Sequence, residues 1–274
     1  MATLTVHVGD LHVGSTLALC PPIVRLDDGG TYQPPKEMLW FWECWCAFWA
    51  DTARLKEKLG CPVLAVFGGD LRDGDHHGTT QLWAKNEHDQ DRAVYQALAV
   101  ARPVLDGAVF LRGTPAHDGP ASNGDERYAE TLAERGWPVV RNGQQFSWWI
   151  WTDEIDGVRI QEKHAPGTVS RIPSKVDSGA AREAEYLWIE YAKIGTPPPH
   201  VAIFHHVHIR ARGFFESLYC HFCPAWQLPT AWVNGKLHTP KVEPPGGLRL
   251  FCKDGTWTPY ELRFRPRNRV AWTK

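Results

Sequence analysis

The chain reads as an α/β fold, and three observations carry that reading. Strand-like and helix-like patterns alternate through the first half. One run, Pro62-Val63-Leu64-Ala65-Val66-Phe67, is apolar throughout, as expected of a strand covered on both faces. Between residues 35 and 59 the aromatic and apolar side chains Met38, Phe41, Trp42, Trp45, Phe48 and Trp49 recur at helical spacing, giving one core-facing stripe.

Taken in order, Leu4 to Val8 is a short strand with β-branched residues, ended by Gly9. The aromatic helix follows over 35–59, then the apolar strand 62–67, a helix over 89–103, a strand over 107–111 and a helix over 125–136. That is a βαβ series with a mainly parallel sheet. The second half holds strands near 146–152, 158–163, 201–204 and 213–222, with a helical stretch from Ala180 to Ala192. Asp156-Gly157 marks a hairpin turn, and a final hairpin joins 248–252 to 257–264 around Asp254-Gly255. Phe146, Trp148, Trp149, Ile150 and Trp151 read as a buried strand.

At 274 residues and 43% hydrophobic content the chain can bury a large core. It reads as one catalytic domain, 1–222, carrying a C-terminal extension, 223–274, packed on the same domain. Within the extension, 224–246 is irregular and rich in proline (Pro224, Pro229, Pro240, Pro244, Pro245), and a loop of that length is expected to rim a site. Trp226, Trp232 and Trp257 fall in Pro/Gly-rich surroundings and are candidates for a substrate wall. Net charge is −1, so no global basic field draws in nucleic acid. Arg263, Arg265 and Arg267 alternate as one solvated strand face, with Arg269 and Lys274 beyond. The seven cysteines, an odd number, suit reduced thiols in a cytoplasm. Cys44 and Cys46 sit two apart in a helix and point to different faces, which argues against a zinc site shared with Cys220 and Cys223. No stretch approaches the roughly 18 apolar residues of a membrane helix.

The residues with chemistry to offer stand at the ends of the apolar runs. Asp10 and His12 follow Gly9 at i, i+2, so in extended backbone both would point to one side. Gly68-Gly69 turns the chain sharply and leaves Asp70 at a strand's carboxyl end, where open α/β sheets place ligand sites. Asp73 and Asp75 lie in a polar, Gly-rich loop and read as a solvated turn, with His76 and His77 at the mouth of the site. The third strand runs into Gly113-Thr114-Pro115-Ala116-His117-Asp118. His164 ends the return strand of the first hairpin, and His205-His206-Val207-His208 is the densest imidazole cluster in the chain. Mixed carboxylate and imidazole donors of this kind suit Zn, Mn or Fe without choosing among them.

In this order the pieces resemble the calcineurin-like metallophosphoesterase superfamily, whose pattern reads D-x-H, G-D, G-N-H-D/E, H, G-H-x-H. The match spans roughly residues 5–208. The resemblance implies a four-layer αββα sandwich of two mixed β-sheets flanked by helices, with two divalent metal ions above the strand ends. Asp10, His12, Asp70 and His208 would hold one ion, and Asp70, His164, His206 and Thr114 the other. His117 would contact the phosphate as the catalytic acid, beside Asp70 as the bridging carboxylate. His76, His77, His205 and Trp226 would touch substrate.

Two positions depart from the pattern. His205 stands where the family has Gly, and no Asn stands before His117. Aligned from Gly113, Thr114 takes the Asn position; aligned back from His117, Ala116 does. Thr114 then ligates, water replaces Asn, or His117 moves onto the metal. The activity implied is hydrolysis of phosphate mono- or diesters. A narrower alternative is a DNA nuclease or phosphodiesterase of phage origin, acting in the host cytoplasm, because Cys223 to Thr230 resembles phosphoesterase-like proteins of tailed phages. A non-catalytic binding protein with an incomplete second metal site is the third reading.

Overall fold

A computed structural model describes residues 1–76, 78–167, 176–231, 234 and 242–265. The first sheet is built on β1 (Ala2–Val8), β4 (Val63–Phe67) and β5 (Gly107–Phe110), which run parallel in the order β1-β4-β5. β11 (Gly246–Lys253) adds antiparallel to β1 over Ala2 to His7, and β12 (Thr256–Arg263) closes that edge. The second sheet has the order β6-β7-β8-β10-β9. In it β7 (Val158–Lys163), β8 (Val201–Phe204) and β10 (Leu218–Phe222) are parallel. β6 (Ile150–Ile155) and β9 (Ala211–Phe215) are antiparallel at the edges. Both sheets are therefore mixed.

Alternation along each strand explains the layers. On β4, Val63, Ala65 and Phe67 pack under helices, while Val66 faces the second sheet. α1 (Lys36–Leu59), α2 (Glu87–Ala101) and α4 (Asn123–Glu134) cover the outer face of the first sheet. Val66, Val109, Leu111, Leu248 and Leu250 meet Trp151, Val158, Ile160 and Ile203 between the sheets. α5 (Val176–Lys193) lies on the outer face of the second, through Ala180 and Ala184 against Ala202, Phe204 and Cys220. The result is helix, sheet, sheet, helix. A short hairpin, β2 (Val24–Arg25) and β3 (Thr31–Tyr32), stands beside α2.

α1 ends at Gly60, whose φ of 61° and N–H bond to the Lys56 carbonyl close the last turn. Its aromatic stripe is core: Phe41, Trp45, Phe48 and Trp49 are all buried. Trp226 belongs to the same cluster. Fully buried, it stacks edge-on to Trp45 at 4.8 Å and to Phe48 at 6.0 Å between ring centroids. The expected substrate wall at Trp226 is thus a core anchor, because the chain there packs its ring against α1. Trp226→Ala should cost about 3–5 kcal/mol of stability, measured by chemical denaturation. Near-parental stability with weakened substrate binding would restore the surface reading.

Other expectations are corrected by edges and turns. Trp149 and Ile150 are 51% and 47% exposed, because β6 is an edge strand; the Arg112 guanidinium covers the Trp149 ring at 5.2 Å. The run 213–222 is two strands, broken at Glu216, which takes a φ of 51° between β9 and β10. Trp257 lies on β12 and stacks on Tyr219 at 4.9 Å. It pairs with Cys252, beside Thr3 at the amino end of β1, so it is far along the sheet from the β1 carboxyl end. Trp232, Pro240, Arg267, Arg269 and Lys274 lie outside the described residues. All seven cysteines are free. No helix among the described residues is long and apolar enough to cross a membrane.

Candidate metal centre

Because β1, β4, β5, β7 and β8 share a direction within their sheets, their carboxyl ends deliver Asp10, Asp70, Gly113, His164 and His206 to one place. Main-chain bonds lace the loops together: Asp10 N–H to the Gly69 carbonyl at 3.0 Å, and His12 N–H to the Asp70 carbonyl at 3.1 Å. Asp10 and His12 are not extended. With φ of 52° and 46° they sit in the left-handed region, as do Asp70 (50°), His206 (67°) and His208 (56°). Non-glycine residues pay about 1–3 kcal/mol each for such backbone, and clusters of it mark functional sites.

Two groups of donors result. Asp10, His12 and His208 offer ligand atoms within 4.8 Å of one another, and so do Asp70, His164 and His206. Asp70 also groups with His12 and His117, so it shares a donor group with members of both sets. His12 Nε2 lies 2.9 Å from His208 Nε2 and 3.7 Å from Asp10 Oδ1, and His208 Nε2 lies 3.5 Å from the same oxygen. His164 Nε2 is 3.0 Å from Asp70 Oδ2 but lacks hydrogen-bond alignment; it and Asp10 Oδ1 are buried polar atoms without a partner.

The far side of each ring fixes its tautomer. His12 Nδ1 donates to Asp73 Oδ1 at 3.0 Å and His164 Nδ1 to the Gly68 carbonyl at 2.6 Å. Each neutral ring then aims a lone pair from Nε2 into the site, as metal-binding imidazoles with an oriented outer partner do. These residues fit divalent cations. Asp10, Asp70, His12 and His164 are buried, His208 is a quarter exposed and His206 is exposed, so the site opens on the His206–His208 side.

Electrostatics set how the site fills. Burial works against charge on His12 and His164, yet neighbouring carboxylates hold them at about 10 and about 9, so both carry protons at neutral pH when no cation is bound. The same rings hold the Asp70 carboxyl below its ordinary range against its burial. A cation must therefore displace protons. Raised imidazole pKa values favour the protonated, ion-free state below them and lose that advantage as pH rises through them. Metal affinity should rise between pH 6 and 9, with protons released on binding. Calorimetry in buffers of different ionisation enthalpy checks this; pH-independent affinity without proton release would contradict it.

Asp73, which local composition presents as a solvated turn, is 2% exposed. It accepts from His12 and from Gln227 Nε2 at 3.2 Å, and lies 3.5 Å from both His76 Nε2 and His117 Nδ1. Its partners are distant in sequence, so only the Asp73-x-x-His76 spacing hinted at it. Asp75 is exposed and pairs with Lys85 at 3.2 Å. His117, on the single-turn helix α3 (Pro115–Asp118), donates Nδ1–H to the Asp73 carbonyl at 2.6 Å and packs on His76 at 4.1 Å between ring centroids. Burial and the His12 charge push His117 down to about 4, so its ring is neutral at pH 7 with the Nε2 lone pair available.

Thr114 sits against Asp70 itself. Its N–H donates to Oδ1 at 2.6 Å and its hydroxyl lies 3.2 Å from both oxygens. Beneath it, Gly113 N–H is shared by Asp118 and Asp125, each at 3.0 Å. Burial raises both carboxyls above their ordinary range, and Asp118's charge adds to the rise at Asp125.

His205 does not face substrate. Fully buried between the sheets, it fills the space above Gly68, where an added Cβ would come 2.2 Å from its Nε2. It bonds Glu162 Oε1 at 2.7 Å, and Oε2 takes His7 at 2.5 Å. Burial opposes the Glu162 charge, but the two imidazoles hold its carboxyl low. This polar layer underlies the site, with His205 as its brace. Trp226 is likewise absent from the site's wall, although its backbone N–H caps the Asp10 carbonyl at 3.0 Å. His77 lies outside the described residues.

No known family profile matches the chain, and neither does any curated protein. Among solved structures it aligns with Vps29 of Chaetomium thermophilum at 14% identity, over 95% of this chain and 89% of that one, with a TM-score of 0.44. Zinc-complexed wild-type Vps29 of Entamoeba histolytica aligns at 11% identity, over 96% and 99%, with a TM-score of 0.42. A predicted phosphoesterase of Streptococcus pneumoniae aligns at 9% identity, over 96% and 90%, with a TM-score of 0.37.

Proposed function

We propose that the chain is a metal-dependent phosphoric ester hydrolase acting on phosphate mono- or diesters. The observation that carries this reading is the pair of donor groups, one containing Asp10 and one containing Asp70, with the Nδ1 atoms of His12, His117 and His164 each held by an oxygen so that Nε2 is left for a cation. Two divalent ions about 3.5–4 Å apart would supply a nucleophilic oxygen at neutral pH and neutralise charge on the phosphoryl group. Mn, Zn and Fe all suit the donors. The chain's own residues do the rest. Asp73 and the Gly68 carbonyl orient His12 and His164, Thr114 pins Asp70, and the His206–His208 side admits the ester.

His117 enters as a neutral ring whose Nε2 takes up a proton or serves as a donor to the second ion in place of the family's Asn. His117→Ala distinguishes the two. As a proton-transfer group it should lower kcat by roughly 10²–10⁴ with metal content unchanged; a loss of half the metal identifies a ligand. The overall reading is tested by screening metal-loaded protein against aryl phosphate mono- and diesters and against single- and double-stranded DNA. Full metal content with no turnover on any of them would replace the enzyme by a metal-holding binding protein.

A further inference from the structure

A groove of about 1070 Å³ opens between the β2–β3 hairpin, α2 and α4, and none of the candidate metal ligands lines it. Four arginines do: Arg25, Arg92, Arg127 and Arg135, facing one carboxylate, Asp91. The Asp91 charge is already balanced, since buried Arg72 approaches it at 3.3 Å and the Tyr128 hydroxyl donates to it. Arg92 pairs with exposed Asp27 at 3.2 Å and Arg127 only loosely with Glu87 at 3.8 Å. Among the described residues no carboxylate pairs with Arg25 or Arg135. A chain of net charge −1 thus concentrates uncompensated guanidinium groups in one concave surface.

The rest of the lining adds a second chemistry. The Arg135 guanidinium lies 4.7 Å over the Tyr95 ring, and Ile23, 54% exposed, stands at the hairpin side. Guanidinium forks suit phosphates, and flat aromatic or guanidinium surfaces suit unpaired bases. The volume stands at the upper end of the roughly 300–1,000 Å³ of small-ligand sites, and the groove is open, which leaves room for a chain that runs through it. A duplex is convex and hides its bases; a single strand presents both groups to a concave surface.

We propose that this groove is an exosite for a single-stranded nucleic acid, gripping its phosphates with Arg25 and Arg135 and stacking a base near Tyr95. The proposal rests on the phosphoesterase reading for its role in presenting a phosphodiester substrate, but binding is measurable apart from it. The probe is a fluorescein-labelled 12-nucleotide oligodeoxynucleotide, titrated by anisotropy with chelator-treated protein from 50 to 200 mM salt. The double variant Arg25→Ala/Arg135→Ala should bind at least about tenfold more weakly. Its log K against log salt should be shallower by about 1.4, the share of two single-strand phosphate contacts. Arg25→Glu alone, on the exposed hairpin, should weaken binding with α4 untouched. Hydrolysis of a small aryl phosphodiester should be unchanged in both. Equal affinity and slope in parent and variants would overturn the exosite. So would displacement of the oligonucleotide by an equal concentration of pyrophosphate, which would show a site for isolated phosphates. Loss of aryl diester turnover in the parent, with oligonucleotide binding as expected, would sink the enzyme reading and leave the groove standing.

Discussion

Asp70→Asn should reduce turnover to background and lower the metal content of the purified protein while leaving the fold intact. Asp70 is fully buried and shares one donor group with His164 and His206 and another with His12 and His117. Two cations held that near each other need a shared anion, and Asn removes the charge without removing volume. The amide also disturbs local bonding. Oδ1 accepts the Thr114 N–H at 2.6 Å and Oδ2 faces His164 Nε2 at 3.0 Å, so an NH₂ on either side meets a donor or a cation. Metal analysis, circular dichroism and aryl diester hydrolysis check the three expectations together. Activity within about tenfold of the parent, a change worth about 1.4 kcal/mol in the barrier, would show that another carboxylate does this work. Asp73, buried among His12, His76 and His117, would then be the next to replace, ahead of exposed Asp75.

What the sequence made legible was local. Apolar runs and one helical stripe gave the βαβ series, the motif resemblance implied the αββα layering, and the ligand candidates follow from their positions at strand ends. Asp10, His12, Asp70, His164, His206 and His208 come together because parallel strands end on one side, a property of topology that alternation of elements already implies. What stayed hidden depended on distant partners. Asp73 looked like a solvated turn because its neighbours in sequence are glycine and charge, whereas its neighbours in space come from residues 12, 117 and 227. Trp226 and His205 looked accessible in loop-like or strand-end contexts, yet α1 buries one and Glu162 holds the other. Left-handed backbone at Asp10, His12, Asp70, His206 and His208 has no local signature either, since no glycine announces it.

Gly113→Ala tests whether that packing, and not ligand identity alone, sets the centre. A Cβ there would stand 2.1 Å from Asp70 Oδ1, 2.3 Å from the Asp70 backbone nitrogen and 2.9 Å from Asp118 Oδ2. A backbone atom cannot swing aside like the end of a flexible side chain, so the β4 and β5 loops must separate. That movement pulls Asp70 from Thr114 and strains the Gly113 N–H bonds to Asp118 and Asp125. Overpacking of this kind costs about 1–3 kcal/mol of stability. The functional loss should be larger, because ligands displaced by about 1 Å lose roughly 10² in rate even when the chemistry is intact. Gly143→Ala supplies the control: its Cβ meets nothing within 4 Å, although φ is 60°, so it should cost stability without touching metal content. A Gly113→Ala protein that keeps full metal and activity within about threefold would mean that the loops relax freely, and that the close approach of β5 to Asp70 is not what holds that carboxylate in place.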